Sequence, residues 1–229
     1  MIKPLFKDFF PPKVKAFFSD RSIDFSLQEG SPLNEAQKKY LSSNFNVSSD
    51  NVINIRQVHG SDVLAVFGKV EGVPEADGLI TNVPGLALAV RTADCIPIFI
   101  YDPEKECAGL VHAGWRGTKK CIAVHGIEMM RGMFGCNPED LLVAFGPGIR
   151  ECCYEVREDA KKSFLLESEI RDGKFYLDLV LINRDQFIEA GVRFRNIFDS
   201  GKCTCCDENF FSYRREGEKA GRHISIIMF

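Results

Sequence analysis

Apolar residues in this chain fall mostly into short runs bounded by glycine, proline, asparagine and aspartate. Residues 51–56, 62–67, 86–90, 96–101 and 107–112 alternate or are continuously apolar over strand-like lengths, and each reads as a strand. Residues 141–145 read as a buried strand and 223–228 (HISIIM) as a last one. Helical spacing appears elsewhere. Ser31-Pro32 has the form of a cap and first turn for a helix through Leu33, Gln37, Tyr40 and Leu41. Between 118 and 134, Ile122, Val124, Ile127, Met130 and Phe134 line up before Gly135 and Pro138, which predicts a helix with a defined stop. Residues 155–166 and 179–190 predict two more, the second closed by Gly191. Strands and helices interleave, but most strand connections are short. This favours an α+β fold of mixed β-sheets with helices packed outside over a doubly wound sheet. No repeat, low-complexity segment or linker divides residues 1–229, so a single domain is expected.

The 91–118 stretch, RTADCIPIFIYDPEKECAGLVHAGWRGT, predicts a hairpin turning at Tyr101-Asp102-Pro103-Glu104. A turn centred between Pro103 and Glu104 sets Cys95 opposite His112. Directly opposite residues share a face, with Cβ atoms roughly 4.5–5.5 Å apart, close enough for both to ligate one metal ion. A one-residue slip would separate them. A third ligand is needed, and the chain has four histidines. His125 falls in a predicted helix and His223 begins a strand. His59 follows a strand and precedes Gly60, a loop position suited to aiming a ligand. His59, Cys95 and His112 would form a His₂Cys set with a fourth position open, the pattern of a catalytic zinc site. The alternative is a buried core thiol with hydrogen-bonded histidines.

Composition narrows the remaining possibilities. With 229 residues, 45% hydrophobic, the chain can bury a full core. A net charge of −3 gives no nucleic-acid footprint, though a local phosphate pocket stays open. The proline-broken, charged start lacks the apolar stretch of a signal peptide, and no run has the length of a membrane helix. Nine cysteines, an odd number, without an export signal point to reduced thiols and a cytoplasmic location.

The blocks RQVHGSDV, EADGLITNVPGLALAVRTADCIPIFIYD, GLVHAGWRGT, GPGIRECCYEV and FFSYRREGEKAGR resemble, in order and spacing, the laccase-domain or multicopper polyphenol oxidoreductase family, the YfiH-like proteins. The resemblance runs from about Phe17 to the C-terminus. It implies a fold shared with a group of deamidating toxins that use a Cys–His pair. It also implies purine nucleoside phosphorylase activity with adenosine deaminase activity, and, from one bacterial member, a role in editing peptidoglycan. The family's His, Cys and His ligands for one zinc or copper ion correspond here to His59, Cys95 and His112.

Each activity makes different demands on the chain. A multicopper oxidase needs a His₂Cys blue-copper site and a histidine-rich trinuclear cluster. Four histidines, with no His-x-His pair, exclude it by ligand supply, leaving at most weak copper-dependent phenol oxidation. Phosphorolysis of adenosine or inosine, with methylthioadenosine as a further candidate, needs Zn²⁺ (or Cu²⁺) and a cationic phosphate pocket. Arg56, Arg91 and Arg116 flank the ligand motifs and are the candidates, unless they pair with Asp62, Asp77 or Asp94. Asp77 is a candidate substrate or phosphate contact and acid/base, or a turn former. Asp94 is expected to point away from Cys95 and to cap or support. Gly114 and Gly117, followed by Thr118 at a helix start, would admit an anion. Trp115 stacks on a base or packs in the core. Arg214, Arg215 and Arg222 make a phosphate contact, a subunit contact or a solvated loop. Cys152, Cys153, Cys203, Cys205 and Cys206 form a redox pair, hold a second metal or simply pack. No nucleotide-triphosphate or dinucleotide motif is present. Three functions stay in contention. They are the phosphorylase, a metal- or Cys–His-dependent amide hydrolase acting on peptidoglycan precursors, and a non-enzymatic metal-binding regulator. The partners expected are a purine nucleoside and phosphate, with no nucleic acid and no membrane, in a monomer or homodimer.

Overall fold

The computed structural model describes residues 5–6, 8–26, 33–156, 158–164 and 168–229. Its described strands form three sheets. The central pair carries the site. The six-stranded sheet runs in the order β12 (Ile197–Asp199), β8 (Leu142–Phe145), β6 (Ile96–Asp102), β7 (Cys107–Ala113), β4 (Gly78–Thr81), β3 (Val63–Ala65). The four-stranded sheet runs β1 (Lys15–Phe18), β13 (His223–Met228), β5 (Ala87–Thr92), β2 (Val52–Ile53). A small antiparallel sheet of β10 (Ser168–Arg171), β11 (Lys174–Leu177) and β9 (Glu155–Val156) stands apart. Both large sheets mix parallel and antiparallel pairs, as in β12–β8 and β6–β7.

Alternation along the strands builds the layers. On β6, Ile96, Ile98 and Ile100 face helices α3 (Ile122–Phe134) and α5 (Leu179–Glu189) in one core. Phe99 and Tyr101 face the other way and meet Leu88, Val90 and Ile227 of the four-stranded sheet. Behind that sheet, Ala87, Ala89, Ile224 and Ile226 pack against α1 (Glu35–Phe45) through Leu41 and Phe45. Strands buried on both faces read as continuous apolar runs, as IPIFIY does, while in HISIIM the alternating His223 and Ser225 are themselves buried. The mixed α+β architecture with outer helices is therefore as expected. Among the described residues no helix is long and apolar enough to cross a membrane.

Local structure departs from the sequence expectation at several points. Ser31 and Pro32 lie outside the described residues. The first helix is capped by Asn34, whose side chain accepts from the Gln37 N–H while Gln37 returns the bond. The helix expected at 118–134 is two helices, α2 (Trp115–Lys119) and α3, separated at Cys121, where φ is 57°. The helix expected at 155–166 begins as a strand, because Glu155 and Val156 pair with β11; only Glu158–Ser163 is helical, as α4. Residues 165–167 of that expectation lie outside the described residues.

The hairpin register also differs. Pro97, not Cys95, sits opposite His112. Asp102 Oδ1 accepts the N–H groups of Glu104 and Lys105, and this turn shifts the hairpin centre by one residue. Both strands move in step, so the pairing changes by two positions and the facing pattern is kept. Cys95 and His112 become diagonal neighbours on the same face, still within side-chain reach.

Candidate functional site at the seam of two sheets

Strand β5 belongs to one large sheet and β6 to the other. The chain crosses between them through residues 93–95. Asp94 takes a φ of 84° to make that corner. The corner throws Asp94 and Cys95 to opposite sides. Asp94 is buried. It accepts the Thr204 hydroxyl at 2.6 Å, the Ser212 hydroxyl at 3.1 Å and the Arg214 N–H at 2.6 Å. It therefore holds the start of α6 (Tyr213–Glu216), the supporting role expected of it. Cys95 faces the seam.

There the sulfur meets His112, from the end of β7, and His59, from the loop before β3. One ligand atom of each of the three lies within 4.8 Å of the others. The two imidazole rings meet edge to face with centroids 4.8 Å apart. Gly114 permits this convergence. A Cβ there would stand 3.0 Å from the Cys95 sulfur and 3.3 Å from the His59 ring. Gly117 likewise lets α2 approach the carbonyl of Gly60, which a Cβ would meet at 2.9 Å. These two glycines serve close packing of the ligand loops, and neither is among the residues lining the cleft. Thr118 is buried, with its hydroxyl accepting from Asn183.

Asp77 organises the cluster from below. It is 0% exposed and accepts the His112 Nδ1 bond at 2.8 Å. It also accepts the backbone N–H groups of Val58 at 3.3 Å, His59 at 3.0 Å and Gly60 at 2.5 Å. One carboxylate thus fixes the tautomer of one histidine and the loop of another. His59 holds a left-handed φ of 57° in that loop. Asp77 does not reach the cleft, so the substrate contact or acid/base role considered for it gives way to positioning.

The electrostatics follow from this packing. Burial opposes ionisation of the Cys95 thiol, but the imidazoles of His112 and His59 outweigh it and bring the thiol down to about 6. Burial also disfavours charge on His112, yet the Cys95 sulfur and Asp77 raise it to about 9. Between those values the pair is a thiolate beside an imidazolium. In protein stripped of metal, Cys95 should react with iodoacetamide with a midpoint near pH 6, the rate rising as pH rises through it. Removing the imidazolium in His112→Ala should move that midpoint upward. An unshifted midpoint would refute the pairing.

A cleft of about 680 Å³ opens above the cluster and includes His59, Cys95 and His112 in its lining. Arg91 lies in its wall. Its guanidinium donates to Asn54 Oδ1 at 2.6 Å, while its buried Nε has no partner. Burial lowers Arg91 to about 10, still cationic at neutral pH. No carboxylate among the described residues pairs with it, so the salt bridge weighed in the sequence is not made. Arg56 also lines the cleft and is paired with Glu75. Arg116 lies outside the lining, exposed and stacked 4.4 Å over Trp115, which itself packs against the helical core. Arg214 and Arg222, from the basic run near the C-terminus, do reach the cleft. Arg215 turns inward onto the carbonyls of Thr204 and Cys205. Gln57 and Tyr154 went unnoticed in the sequence. Gln57 exchanges two hydrogen bonds with the Arg91 backbone, and Tyr154 lines the wall. Both lie inside the quoted blocks RQVHGSDV and GPGIRECCYEV, but residue type alone did not single them out.

Fold and site together define a mixed α+β protein with a Cys–His cluster at the floor of a cleft between two sheets. Residues 22–229 match the multi-copper polyphenol oxidoreductase laccase family, and the chain belongs to it. It is 38% identical over 190 residues to the purine nucleoside phosphorylase YlmD of Geobacillus stearothermophilus, covering 75% of this chain and 69% of that one. It is 34% identical over 218 residues to a purine nucleoside phosphorylase of Deinococcus radiodurans, covering 92% and 82%. The crystal structure of YlmD from Geobacillus stearothermophilus aligns with a TM-score of 0.85 at 30% identity, over 95% of this chain and 92% of that one. The YfiH protein of Bacillus licheniformis aligns with a TM-score of 0.84 at 27% identity, over 95% and 93%.

Proposed function

We propose that this chain is a cytoplasmic, single-domain purine nucleoside phosphorylase in which His59, Cys95 and His112 hold one zinc ion. The donor set fits such an ion. A depressed thiol supplies a thiolate, and the Asp77 bond to His112 Nδ1 leaves Nε2 for a metal, the arrangement in which a carboxylate orients a ligating histidine. When bound, the ion supplies Lewis-acid polarisation and a lowered pKa for bound water. The same three ligands suit copper, which would give at most weak phenol oxidation as a side reaction. Four-copper chemistry lacks ligands. His125 Nδ1 is bonded to the Ser61 carbonyl, and His223 is fully buried with Nε2 accepting the Phe211 N–H.

The observation that carries the reading is Arg91. A buried guanidinium with an unpartnered N–H, in the wall of a cleft whose floor is the Cys–His cluster, calls for an anionic ligand. In phosphorolysis an oxygen of phosphate bonds to the ribose C1′ as the bond from C1′ to the purine nitrogen breaks. The purine leaves with a proton, and ribose 1-phosphate remains. Arg91 binds the phosphate and holds it in place. Burial, and then the Cys95 sulfur, push Tyr154 upward, so it faces the substrate as a neutral phenol able to donate a hydrogen bond. Adenosine, inosine and methylthioadenosine are the substrates of this reading, with adenosine deamination as a second activity of the same cleft.

Incubation of purified protein with inosine tests the proposal. Hypoxanthine released only when phosphate is present supports it, and no release in either condition refutes it. Arg91→Met should raise the KM for phosphate roughly 10- to 100-fold, the size of a lost charge-assisted hydrogen bond, with a smaller change in the KM for nucleoside. Equal KM values for phosphate would remove Arg91 from the site.

One observation favours a second reading. Cys95, His112 and Asp77 also form a nucleophile, a base and an orienting carboxylate, the constellation of a Cys–His amide hydrolase. Hydrolysis of amino-acyl muropeptides by metal-free protein, with no phosphorolysis, would select it.

A further inference from the structure

A second group of thiols lies apart from the cleft floor. Cys152 and Cys153 sit in the loop leading to β9, and Cys203 and Cys206 in a turn after β12. One sulfur from each lies within 4.8 Å of the others. The backbone brings the two loops together. Gly148 bridges Cys203 in parallel, the Gly148 N–H donates to the Lys202 carbonyl at 3.3 Å and the Thr204 N–H to the Gly148 carbonyl at 3.0 Å. Cys206 lies 3.4 Å from Cys152 and 3.2 Å from Cys153, and all four are free thiols. We propose that Cys152, Cys153, Cys203 and Cys206 are a tetrathiolate site for one structural zinc ion, which fastens the wall of the cleft. This site is independent of the His₂Cys cluster and of the activity assigned to it.

Geometry supports a metal over a disulfide. Four sulfurs at about 2.3 Å from a tetrahedral zinc lie about 3.8 Å from one another, and the cluster spans that separation. A disulfide needs two sulfurs committed to each other at about 2.05 Å. Here Cys206 is shared almost evenly between two partners. A zinc with four thiolates bears two net negative charges, and cations surround the two loops. Arg215 donates to the carbonyls of Thr204 at 2.9 Å and Cys205 at 2.8 Å. Arg214 donates to those of Cys153 at 3.2 Å and Glu155 at 2.8 Å. Cys152 and Cys206 are exposed, which leaves an entry path for the ion. Cys205 is outside the group, which leaves four ligands and a closed site, as structural zinc prefers.

The position gives the site its purpose. Tyr154 follows Cys153 directly, and Arg214 bridges the same loop; both side chains line the cleft. Backbone hydrogen bonds between the loops and the side chains of Asp94, Arg214 and Arg215 already tie this wall together. One ion joining residues 152–153 to 203–206 would hold both side chains in place.

The test uses the full chain with the first cluster disabled. Cys95→Ala protein, reduced and free of metal, is titrated anaerobically with Co²⁺. One equivalent should bind with strong thiolate-to-cobalt charge-transfer absorption and tetrahedral ligand-field bands. The further substitution Cys206→Ser should weaken binding at least about tenfold and diminish the charge transfer, since a closed four-ligand site loses one ligand. Cys206 is exposed, and circular dichroism checks that the variant stays folded. As a second measurement, Zn²⁺ should protect Cys152, Cys153, Cys203 and Cys206 of the wild-type chain from alkylation, read residue by residue by mass spectrometry. Absence of thiolate charge transfer in Cys95→Ala, a spectrum indifferent to Cys206→Ser, or no protection by zinc would each overturn the proposal. Because the first cluster is disabled in the titration, failure of the phosphorylase reading would leave this result unchanged.

Discussion

Replacing Cys95 with alanine is expected to abolish stoichiometric metal binding at the His59–Cys95–His112 cluster and to lower kcat/KM for phosphate-dependent hypoxanthine release by about 10³-fold or more. Loss of a Lewis acid costs several kcal/mol of transition-state stabilisation, and about 1.4 kcal/mol corresponds to each factor of ten. The fold should survive. Cys95 is only partly buried at the cleft floor, and its loss leaves the sheets on either side intact. Far-ultraviolet circular dichroism and thermal unfolding of the metal-free proteins should therefore match. Metal analysis, initial rates and unfolding on the same preparation decide the matter. Unchanged phosphorolysis in Cys95→Ala would separate the chemistry from the cluster altogether.

The second large effect is expected at Asp77. Its two oxygens receive four donors: His112 Nδ1 and the His59 N–H at Oδ1, the Val58 and Gly60 N–H groups at Oδ2. In Asp77→Asn one oxygen becomes an NH₂, and in either orientation two donors then face a donor. One orientation releases the 58–60 loop that aims His59. The other drives the His112 proton from Nδ1 to Nε2, where it blocks the metal-binding lone pair. Metal affinity should fall about 10- to 100-fold, the usual effect of losing the partner that orients a ligating histidine. Stability should fall by roughly 1–3 kcal/mol for the buried groups left unpaired.

The pH dependence of that stability has a defined sign. Burial works against the charge on Asp77, but His112 and the backbone N–H groups of Gly60 and His59 outweigh it and hold the folded carboxyl below its ordinary value. Its contribution is then present above the unfolded carboxylate range and lost as pH falls through the folded value. The Asn variant should lack this acid-side component. Chelator competition and urea titrations at neutral and acid pH test both halves. Wild-type metal affinity in Asp77→Asn would refute the orienting role.

Much of the fold could be read along the chain, because burial imposes itself on residue order. The runs IPIFIY and HISIIM, and the spacing from Ile122 to Phe134 ahead of Gly135, place strands β6 and β13 and helix α3 within a residue or a few of where they stand. Elements whose stability comes from neighbours were harder. Strand β4 starts with Gly78 and is only four residues long; it exists because β7 and β3 flank it. Glu155 and Val156 have a helical neighbourhood in sequence and are strand because β11 pairs with them. The hairpin register depended on a side chain, Asp102, bonding to the turn backbone, which the apolar pattern does not encode.

For the site, the sequence by itself determined the inventory: four histidines, a cysteine at a strand boundary, and arginines near both. That inventory sufficed to exclude a four-copper oxidase and to nominate His59, Cys95 and His112, because ligand number and type are properties of composition and spacing. What each polar side chain does was decided only by tertiary structure. Asp77 turned from a candidate acid into the support beneath two histidines, Arg91 has no carboxylate partner among the described residues, Arg116 lies outside the cleft lining, and Tyr154 lies within it. The physical reason is that a charged or hydrogen-bonding group takes its role from its partners and its access to water, and both are set by segments far away in the chain.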